Sequence, residues 1–328
     1  MRRANGYLMV FLFLLSFALV MPVQGQAQLE TKKLIVALSA PTPTFFPLVL
    51  ARDKGFYRAE GLEVATDIVQ SGVQVQALIA GKVFAAVPRI EPMLQGVKAK
   101  IILVVGYKPS FDLMSQPELK SFADLKGKVV AVSGRGSTTD AVTREILEAN
   151  GLNYEKDVVL LVAGNMSTMY AALAAKRVAG ALLAMPFNFM AMDQGFHKLA
   201  FAGDFARAIQ GGLMIMDGSL RSESDMVLKV TRGTLKGMLA YRRGGEETLQ
   251  LLSRFIKTED LELLKRIYEY HVQTITEDGT ISERLMDDLI QQAESGAKGQ
   301  TAVGRADIFD FSPARKALQT LQVSGWRP

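Results

Sequence analysis

Hydroxyl, amide and arginine side chains recur directly after the apolar segments of this chain. In open α/β sheets, ligands bind outside the carboxyl ends of the strands, where helix N-termini present unpaired N–H groups. We therefore expect these loops to form a ligand-binding site. The residues assigned to it are Thr42, Thr44, Phe45, Ser71, Gly72, Arg89, Arg135, Gly136, Ser137, Thr138, Asn165, Pro186 and Phe187.

Each of these side chains also has a purely structural alternative. Hydroxyl and amide groups can cap helices, and phenylalanines such as Phe45 can pack in the core instead of lining a cleft. Arg89 and Arg135 can grip a carboxylate, sulfonate or phosphate, or can form ion pairs, for which Glu91 is a neighbour of Arg89. The ligand charge therefore stays open: a small organic acid, a sulfonate or a neutral heteroaromatic compound would fit.

Catalytic groups are sparse. The two histidines, His197 and His271, have no metal-ligand spacing, and the sequence holds no nucleophile elbow, P-loop or dinucleotide fingerprint. The absence of cysteine excludes disulfides, thiolate metal sites, a cysteine nucleophile and a lipid-modified N-terminal cysteine. The sequence thus predicts a protein that binds without being an enzyme, with neither metal nor cofactor.

Length and composition indicate a folded protein of about two domains. The chain has 328 residues, of which 49% are hydrophobic and 22% charged. Its formal net charge is +5, but Lys and Arg alternate with Asp and Glu, as in residues 257–265. Because no sustained basic stripe is present, we expect no nucleic-acid partner.

The N-terminus has the pattern of a secretory signal. Arg2 and Arg3 precede an apolar run over residues 7–21, and small residues stand at Gly25 and Ala27. The run is shorter than the ~20 residues of a spanning helix, so we expect residues 1–27 to be a cleaved signal peptide. A retained anchor is the alternative. The mature protein is expected in the periplasm, without a lipid anchor.

Strand and helix patterns alternate over the first two thirds of the sequence, as in a mostly parallel sheet. The pattern restarts near residue 109, and a mainly helical region follows residue 212. Strands are predicted at residues 33–39, 62–69, 84–87, 101–107, 128–133, 158–162, 181–185 and 213–216. Helices are predicted at residues 44–55, 73–80, 139–150, 168–176, 225–243, 246–256, 260–271, 282–292 and 312–321.

Several segments together carry a family resemblance. Residues 47–64, PLVLARDKGFYRAEGLEV, are similar to the opening helix and strand of solute-binding proteins of ABC importers for nitrate, sulfonates, taurine and thiamine precursors. Further matches are Ala77–Gly81, DLKGK at residues 124–128, GRGST at 134–138, and PFNF at 186–189 with Gly195-Phe196. Asp278-Gly279 and Asp310–Ser312 extend the resemblance over about residues 34–320.

The resemblance implies an α/β, type II periplasmic binding fold, in which two α/β lobes with mixed sheets are joined by two crossings. Lobe 1 would comprise residues 28–108 and 208–328, and lobe 2 residues 109–207. The crossings are expected near Tyr107–Leu113 and Ala206–Leu213. One departure is that Phe84 and Ala179 stand where the family usually has an acidic residue.

The implied function is to capture a small organic ligand, which can be anionic, between the lobes and to deliver it to the membrane subunit of an ABC importer. The protein is expected to act as a monomer. A periplasmic sensing or partner-presenting subunit without transport is the alternative. A related suicidal pyrimidine synthase uses a His and Cys cluster around iron, and that chemistry is excluded in a chain without cysteine.

Overall fold

The protein is described by a computed structural model that covers residues 32–295 and 303–328. The expected signal peptide, residues 1–27, lies outside the described residues. Within the covered part, no helix is both long and apolar enough to cross a membrane.

The strands agree closely with the apolar runs of the sequence. They are β1 Lys32–Leu38, β2 Leu62–Ile68, β3 Ala99–Val104, β4 Phe111–Ser115, β5 Lys128–Val132, β6 Val158–Val162, β7 Gly180–Ala184, β8 His197–Phe201 and β9 Gly212–Met216.

Helices connect and cover these strands. They are α1 Phe46–Asp53, α2 Phe56–Ala59, α3 Ser71–Ile79, α4 Glu91–Leu94, α5 Thr138–Ala149, α6 Met166–Ala174, α7 Phe187–Asp193, α8 Ala202–Phe205, α9 Asp217–Ser222, α10 Ser224–Arg243, α11 Glu246–Ile256, α12 Leu261–Val272, α13 Glu283–Ser295, α14 Arg305–Ile308 and α15 Ser312–Val323. Two 3₁₀ turns occupy Pro43–Phe45 and Phe122–Leu125.

Five strands form one mixed sheet, called the large sheet below, in the order β6-β5-β7-β4-β8. Strand β5 runs parallel to β6 and β7, whereas β4 is antiparallel to β7 and β8. Neighbouring side chains alternate between its faces, because a strand projects successive residues to opposite sides. Leu113 packs on one face with α5, and Met114 packs on the other with α6.

The remaining strands form two pairs, a parallel β1–β2 pair and an antiparallel β3–β9 pair. Single bridges from Ala85 to Val36 and from Ala86 to Met214 connect the pairs. The predicted strand at residues 84–87 is therefore reduced to two isolated bridges between β1 and β9. Each pair has a buried cluster on both faces: Leu103 belongs to one cluster and Val104 to the other.

Helix α10 secures the first of these clusters against α1 and α2. The Tyr57 hydroxyl is 2.9 Å from the Thr234 hydroxyl in a buried contact. The Glu60 carboxylate accepts hydrogen bonds from Arg232 Nε at 2.8 Å and from Lys236 Nζ at 2.7 Å. Burial opposes the charge of Glu60, but these two cations outweigh it and lower the pKa of the carboxyl.

The structure adds two strands to the predicted order, β4 and β8. Strand β4 begins at Phe111 in the large sheet, so residues 111–113 of the predicted crossing Tyr107–Leu113 belong to a strand. Residues 106–107 run beside residues 208–210: Ala208 N donates to Tyr107 O at 3.0 Å, and Gln210 N donates to Gly106 O at 2.6 Å. The two chain segments between the sheets are thus hydrogen-bonded to each other.

Candidate functional site

Gln74 of α3 connects three loops at the strand ends of the first half. This side chain is only 3% exposed. Its Nε2 donates to Val69 O at 2.6 Å and to Ser39 Oγ at 3.3 Å, and its Oε1 accepts from Val87 N at 3.4 Å. These loops follow β1, β2 and the Ala85–Ala86 bridges. Gln74 therefore fixes the positions of three neighbouring strand-end loops relative to one another. Gln74 was not among the predicted site residues, since no local pattern marks a buried glutamine.

The first predicted site loop follows β1. Thr42 and Thr44 are half-buried around the 3₁₀ turn, while Phe45 is only 7% exposed and packs in the core. The burial of Phe45 favours the packing alternative over a stacking platform. A Cβ added at Gly211 would lie 3.3 Å from Thr44 Cγ2, so the loop contacts the segment that leads into β9.

Ser71 and Gly72 form the first turn of α3. For these two residues the structure describes the backbone alone. Both residues follow β2, as predicted from the sequence, and Gln74 lies in the same helix.

A hydroxyl network occupies the loop between β5 and α5. Ser133 N donates to Thr139 Oγ1 at 2.8 Å, and the Ser137 and Thr139 hydroxyls are 3.0 Å apart. Ser137 is the N-cap of α5, because its Oγ accepts from Asp140 N at 3.3 Å. Ser137 thus caps the helix at the place where it was predicted to meet a ligand.

The Asp140 carboxylate binds the backbone of the same loop and the side chain of Arg144. Asp140 is 3% exposed, and its Oδ2 accepts from Gly136 N at 2.8 Å while Arg144 Nε donates to Oδ1 at 3.1 Å. Burial alone would raise the pKa of Asp140, but these donors outweigh it and lower the pKa. Gly136 has φ of +69°, a conformation that favours glycine. In this conformation the Gly136 amide donates to Asp140, a residue that was not predicted from the sequence.

A cavity of about 550 Å³ brings four predicted residues together: Arg89, Gly136, Ser137 and Thr138. It lies between the loop after the Ala85–Ala86 bridges, the N-terminus of α5, residues 207–210 and one face of α13. Each half of the fold thus contributes a strand-end loop. Among the predicted residues whose side chains the structure describes, those that do not line it are Thr42, Thr44, Phe45, Arg135, Asn165, Pro186 and Phe187.

Two arginines give this cavity positive charge. Arg207 Nη1 donates to the carbonyl oxygens of Gly203 at 2.6 Å and of Ala206 at 2.8 Å, which fixes the guanidinium. Arg89 Nε is 3.4 Å from Glu91 Oε2, and both side chains are about half exposed, so this ion pair is weak. Arg207 was not among the predicted site residues, because it lies in a predicted crossing and not in a strand-end loop.

Glu145 lies beside this cavity and links α5 to α13. Gln292 Nε2 donates to Glu145 Oε1 at 3.1 Å. Burial and the nearby charge of Glu148 raise the pKa of Glu145, and the attraction of Arg207 only partly opposes this effect. A proton on Glu145 would leave the positive charge of Arg207 less compensated and thus more available to an anion.

The remaining predicted residues of the large sheet follow strand ends but lie outside this cavity. Asn165 Oδ1 caps α6 by accepting from Thr168 N at 3.0 Å, and Arg135 is exposed. Pro186 is exposed before α7, and the half-buried Phe187 ring lies 5.7 Å from that of Tyr170.

The two histidines belong to different elements, His197 to β8 and His271 to α12. His271 is 1% exposed, its Nδ1 is 3.2 Å from the Tyr241 hydroxyl, and burial lowers its pKa to about 3. His271 is therefore neutral and structural. In the described ranges, no group of three or more His, Cys, Asp or Glu could hold a metal ion. A larger open cavity of about 720 Å³, lined by Lys108, Arg242 and residues 272–278 among others, contains none of the predicted site residues.

The mixed sheets and strand-end loops belong to the periplasmic binding protein fold, and comparison with solved structures supports this classification. The periplasmic aliphatic sulphonate binding protein SsuA from Escherichia coli superimposes with a TM-score of 0.65 at 18% identity, covering 80% of this chain and 91% of that chain. The desulfurization enzyme DSZB superimposes with a TM-score of 0.62 at 14% identity, covering 88% of this chain and 99% of that chain. At these identities the likeness shows the fold alone, and that fold hosts binding proteins and an enzyme.

Sequence comparison gives the family. Residues 42–242, more than half of the chain, match the family described as NMT1/THI5 like, and the chain belongs to this family. The riboflavin-binding protein RibY from Chloroflexus aurantiacus is 26% identical over 258 residues, which cover 74% of this chain and 73% of the relative. The fold and family inferred from the sequence are therefore confirmed.

Proposed function

We propose that this protein is an extracytoplasmic solute-binding protein that captures a small organic ligand and delivers it to an ABC importer. The observation that supports this most directly is the 550 Å³ cavity, because residues from both halves of the fold line it. In this proposal residues 28–108 and 208–328 form one lobe, residues 109–207 form the other, and the ligand draws them together. Export would remove residues 1–27, and the mature protein would work in the periplasm as a monomer.

An anionic group on the ligand suits the side chains around this cavity. Arg207 is held in place by backbone carbonyls, so little conformational freedom is lost when it binds an anion. Arg89 adds a second cation, and Thr138 is exposed at the N-terminus of α5, where the helix dipole favours negative charge. A carboxylate or sulfonate is therefore our first choice, consistent with the sulphonate named for the structural neighbour SsuA. Riboflavin, named for the relative RibY, represents the larger heteroaromatic alternative.

A binding role without catalysis fits the chemistry of the described residues better than an enzymatic one. The buried His271 is neutral, and the hydroxyls of Ser137 and Thr139 contact each other and Ser133 but form no hydrogen bond to a histidine or carboxylate among the described residues. These hydroxyls therefore lack the activation that a nucleophile needs.

A ligand screen tests the proposal. Protein purified from the periplasm would be heated with alkanesulfonates, small carboxylates and riboflavin, and its unfolding temperature recorded. A ligand at 100 times its Kd adds about 2.7 kcal/mol of stability, which is readily detected. Stabilisation by one class, lost in Arg207→Gln, is the expected result. Conversion of the bound compound to a product, followed by NMR, would contradict the binding role. Failure of ligand-loaded protein to stimulate ATP hydrolysis by the cognate importer would instead favour the sensing alternative.

A further inference from the structure

Helix α12 contacts the large sheet through an aromatic cluster formed by Phe189, Phe201, Ile267 and Tyr270, called the α12 contact below. The Tyr270 ring centroid lies 5.5 Å from that of Phe189 on α7 and 5.4 Å from that of Phe201 on β8. Both ring pairs are nearly perpendicular, the edge-to-face geometry that aromatic pairs favour. The α12 contact therefore joins two regions of the chain that belong to different proposed lobes.

A buried carboxylate lies next to this cluster. Asp112 on β4 is fully buried, and its Oδ2 accepts from Asn188 Nδ2 at 2.7 Å. Lys198 Nζ is 2.7 Å from Asp112 Oδ1 and lies over the rings of Phe201 and Tyr270, at 5.4 and 5.3 Å from their centroids. One ammonium group thus neutralises the carboxylate and attracts the ring that α12 supplies.

The Tyr270 hydroxyl is directed to the same groups. It is buried, it interacts with Asp112 and Asn188, and it lies in the field of the negatively charged Asp204. It nevertheless has no hydrogen bond of good geometry among the residues that the structure covers. Because a buried hydroxyl without a partner is unfavourable, a small shift of α12 toward Asp112 would be stabilised by the missing bond.

The rim of the α12 contact is charged. Arg266 Nη1 is 2.9 Å from Asp193 Oδ2 at the end of α7, and the Arg266 guanidinium lies 4.7 Å from the centroid of the Phe189 ring. Helix α12 therefore contacts α7 at both ends of that helix: near Asn188 through Tyr270, and at Asp193 through Arg266.

This arrangement bears on two of the predicted site residues, because Pro186 and Phe187 stand at the start of α7. Pro186 and Phe187 were predicted to bind ligand, and Asn188 is the next residue. The bond from Asn188 to Asp112 fixes the first turn of α7, and Tyr270 packs against the following residue, Phe189. A movement of α12 would therefore be transmitted to Pro186 and Phe187.

We propose that the α12 contact is a latch between the two proposed lobes, and that Tyr270 is its positioning residue. The ring of Tyr270 sets the orientation of the lobes in the free protein. Its hydroxyl gains the hydrogen bond to Asp112 when the lobes close, which strengthens ligand binding. This inference rests on the proposed function, but its first test needs no ligand.

The first test measures the distance between the lobes. Since the chain has no cysteine, Lys82→Cys and Ala174→Cys, both at exposed positions, would carry two nitroxide labels without background labelling. Electron paramagnetic resonance would then record the distance distribution in a latch variant, Tyr270→Ala, and in a control, Tyr268→Ala. Tyr268 lies on the same helix but packs edge to face on Tyr241 and donates to Tyr241 O, away from the large sheet.

We expect Tyr270→Ala to broaden the distance distribution at least twofold and Tyr268→Ala to leave it narrow. Equal distributions in the two variants, whether narrow or broad, would overturn the latch. If Tyr270→Ala does not fold, Arg266→Ala provides the second variant, because it loosens only the rim. It should broaden the distribution in the same direction, and an unchanged distribution would overturn the proposal.

The second test uses octane-1-sulfonate and riboflavin as probes in isothermal titration. Tyr270→Phe, which removes only the hydroxyl, should weaken binding three- to tenfold while the unfolding temperature changes little, and Tyr268→Phe should bind normally. Unchanged affinity in Tyr270→Phe would overturn the coupling to the ligand. If the wild-type protein binds neither probe, the proposed ligand class fails, while the distance measurement still decides on the latch.

Discussion

Gly237 of α10 lies directly against the backbone of α1. A Cβ at this position would overlap the carbonyl oxygen of Pro47 and would lie 2.7 Å from the Cβ of Ala51. We expect Gly237→Ala to lower the free energy of unfolding by about 1–3 kcal/mol, because the two helices would have to separate. Urea denaturation would measure the loss. Gly218→Ala is the control, since a Cβ there meets no atom within 4 Å. Equal stability of the two variants would contradict this packing.

His271 makes stability depend on pH. Burial lowers its pKa to about 3, whereas an unfolded histidine has a pKa near 6.5. As the pH falls from about 6.5 towards 3, the histidine binds a proton in the unfolded state but not in the folded state, so the free energy of unfolding decreases. His271→Gln should lose less stability over this range. Unfolding free energies of both proteins at several pH values between 7 and 4 would measure this difference. Parallel curves would show that His271 does not cause the loss of stability at low pH.

Ser137 has two separable roles, as a helix cap and as a ligand group. Ser137→Ala should destabilise the protein by about 1 kcal/mol through loss of the cap. It should also weaken ligand binding by about 0.5–1.5 kcal/mol if the hydroxyl contacts the ligand. Ser121→Ala, which disrupts an exposed capping box outside the cavity, is the control. Loss of stability with unchanged titration calorimetry would show that Ser137 acts only as a cap.

Arg207 and Arg135 distinguish two positions for the ligand. If an anion binds in the 550 Å³ cavity, Arg207→Gln should weaken its binding by about 1.5–3 kcal/mol, as expected for a charged hydrogen bond. A neutral ligand should lose much less. A comparable loss in Arg135→Gln would place the anion at the exposed side of the Gly134–Gly136 loop instead. Isothermal titration at two salt concentrations would separate these cases, with Arg221→Gln on exposed α9 as the control.

Export should remove the N-terminal segment. The positive start at Arg2 and Arg3 and the small residues Gly25 and Ala27 predict cleavage after residue 27. Intact-mass measurement of protein from its native host should therefore show a chain that begins within one or two residues of Gln28. Recovery of the full-length chain in the membrane fraction would support a retained anchor.

The sequence was a reliable guide to elements whose apolar pattern is uninterrupted. The predicted bounds of β6 and α11 match the structure residue for residue. Strands β4 and β8 were missed because each carries charge, Asp112 in β4 and Lys198 in β8. These two residues are compatible with a sheet because they pair with each other at 2.7 Å. That pairing depends on tertiary structure and leaves no local pattern.

The candidate site was predictable at the level of loops but not at the level of individual contacts. The loops after the strands were correctly located, since glycines and capping residues mark them. Gln74, Asp140 and Arg207 were missed because their roles depend on partners such as the Gly136 amide and the Gly203 carbonyl. Backbone groups look alike in every sequence, so only the fold reveals which side chain they meet.

The pairing of β3 with β9 has a consequence for the order of folding. These neighbours are separated by residues 105–211, which contain the whole large sheet. Closing so long a loop costs conformational entropy, and contacts between distant residues slow folding. In the folded protein Val105 N donates to Gly211 O at 3.0 Å, so a formed large sheet brings the two ends of this loop together. We expect the interior of the chain to fold first and to act as a template on which β9 finds β3.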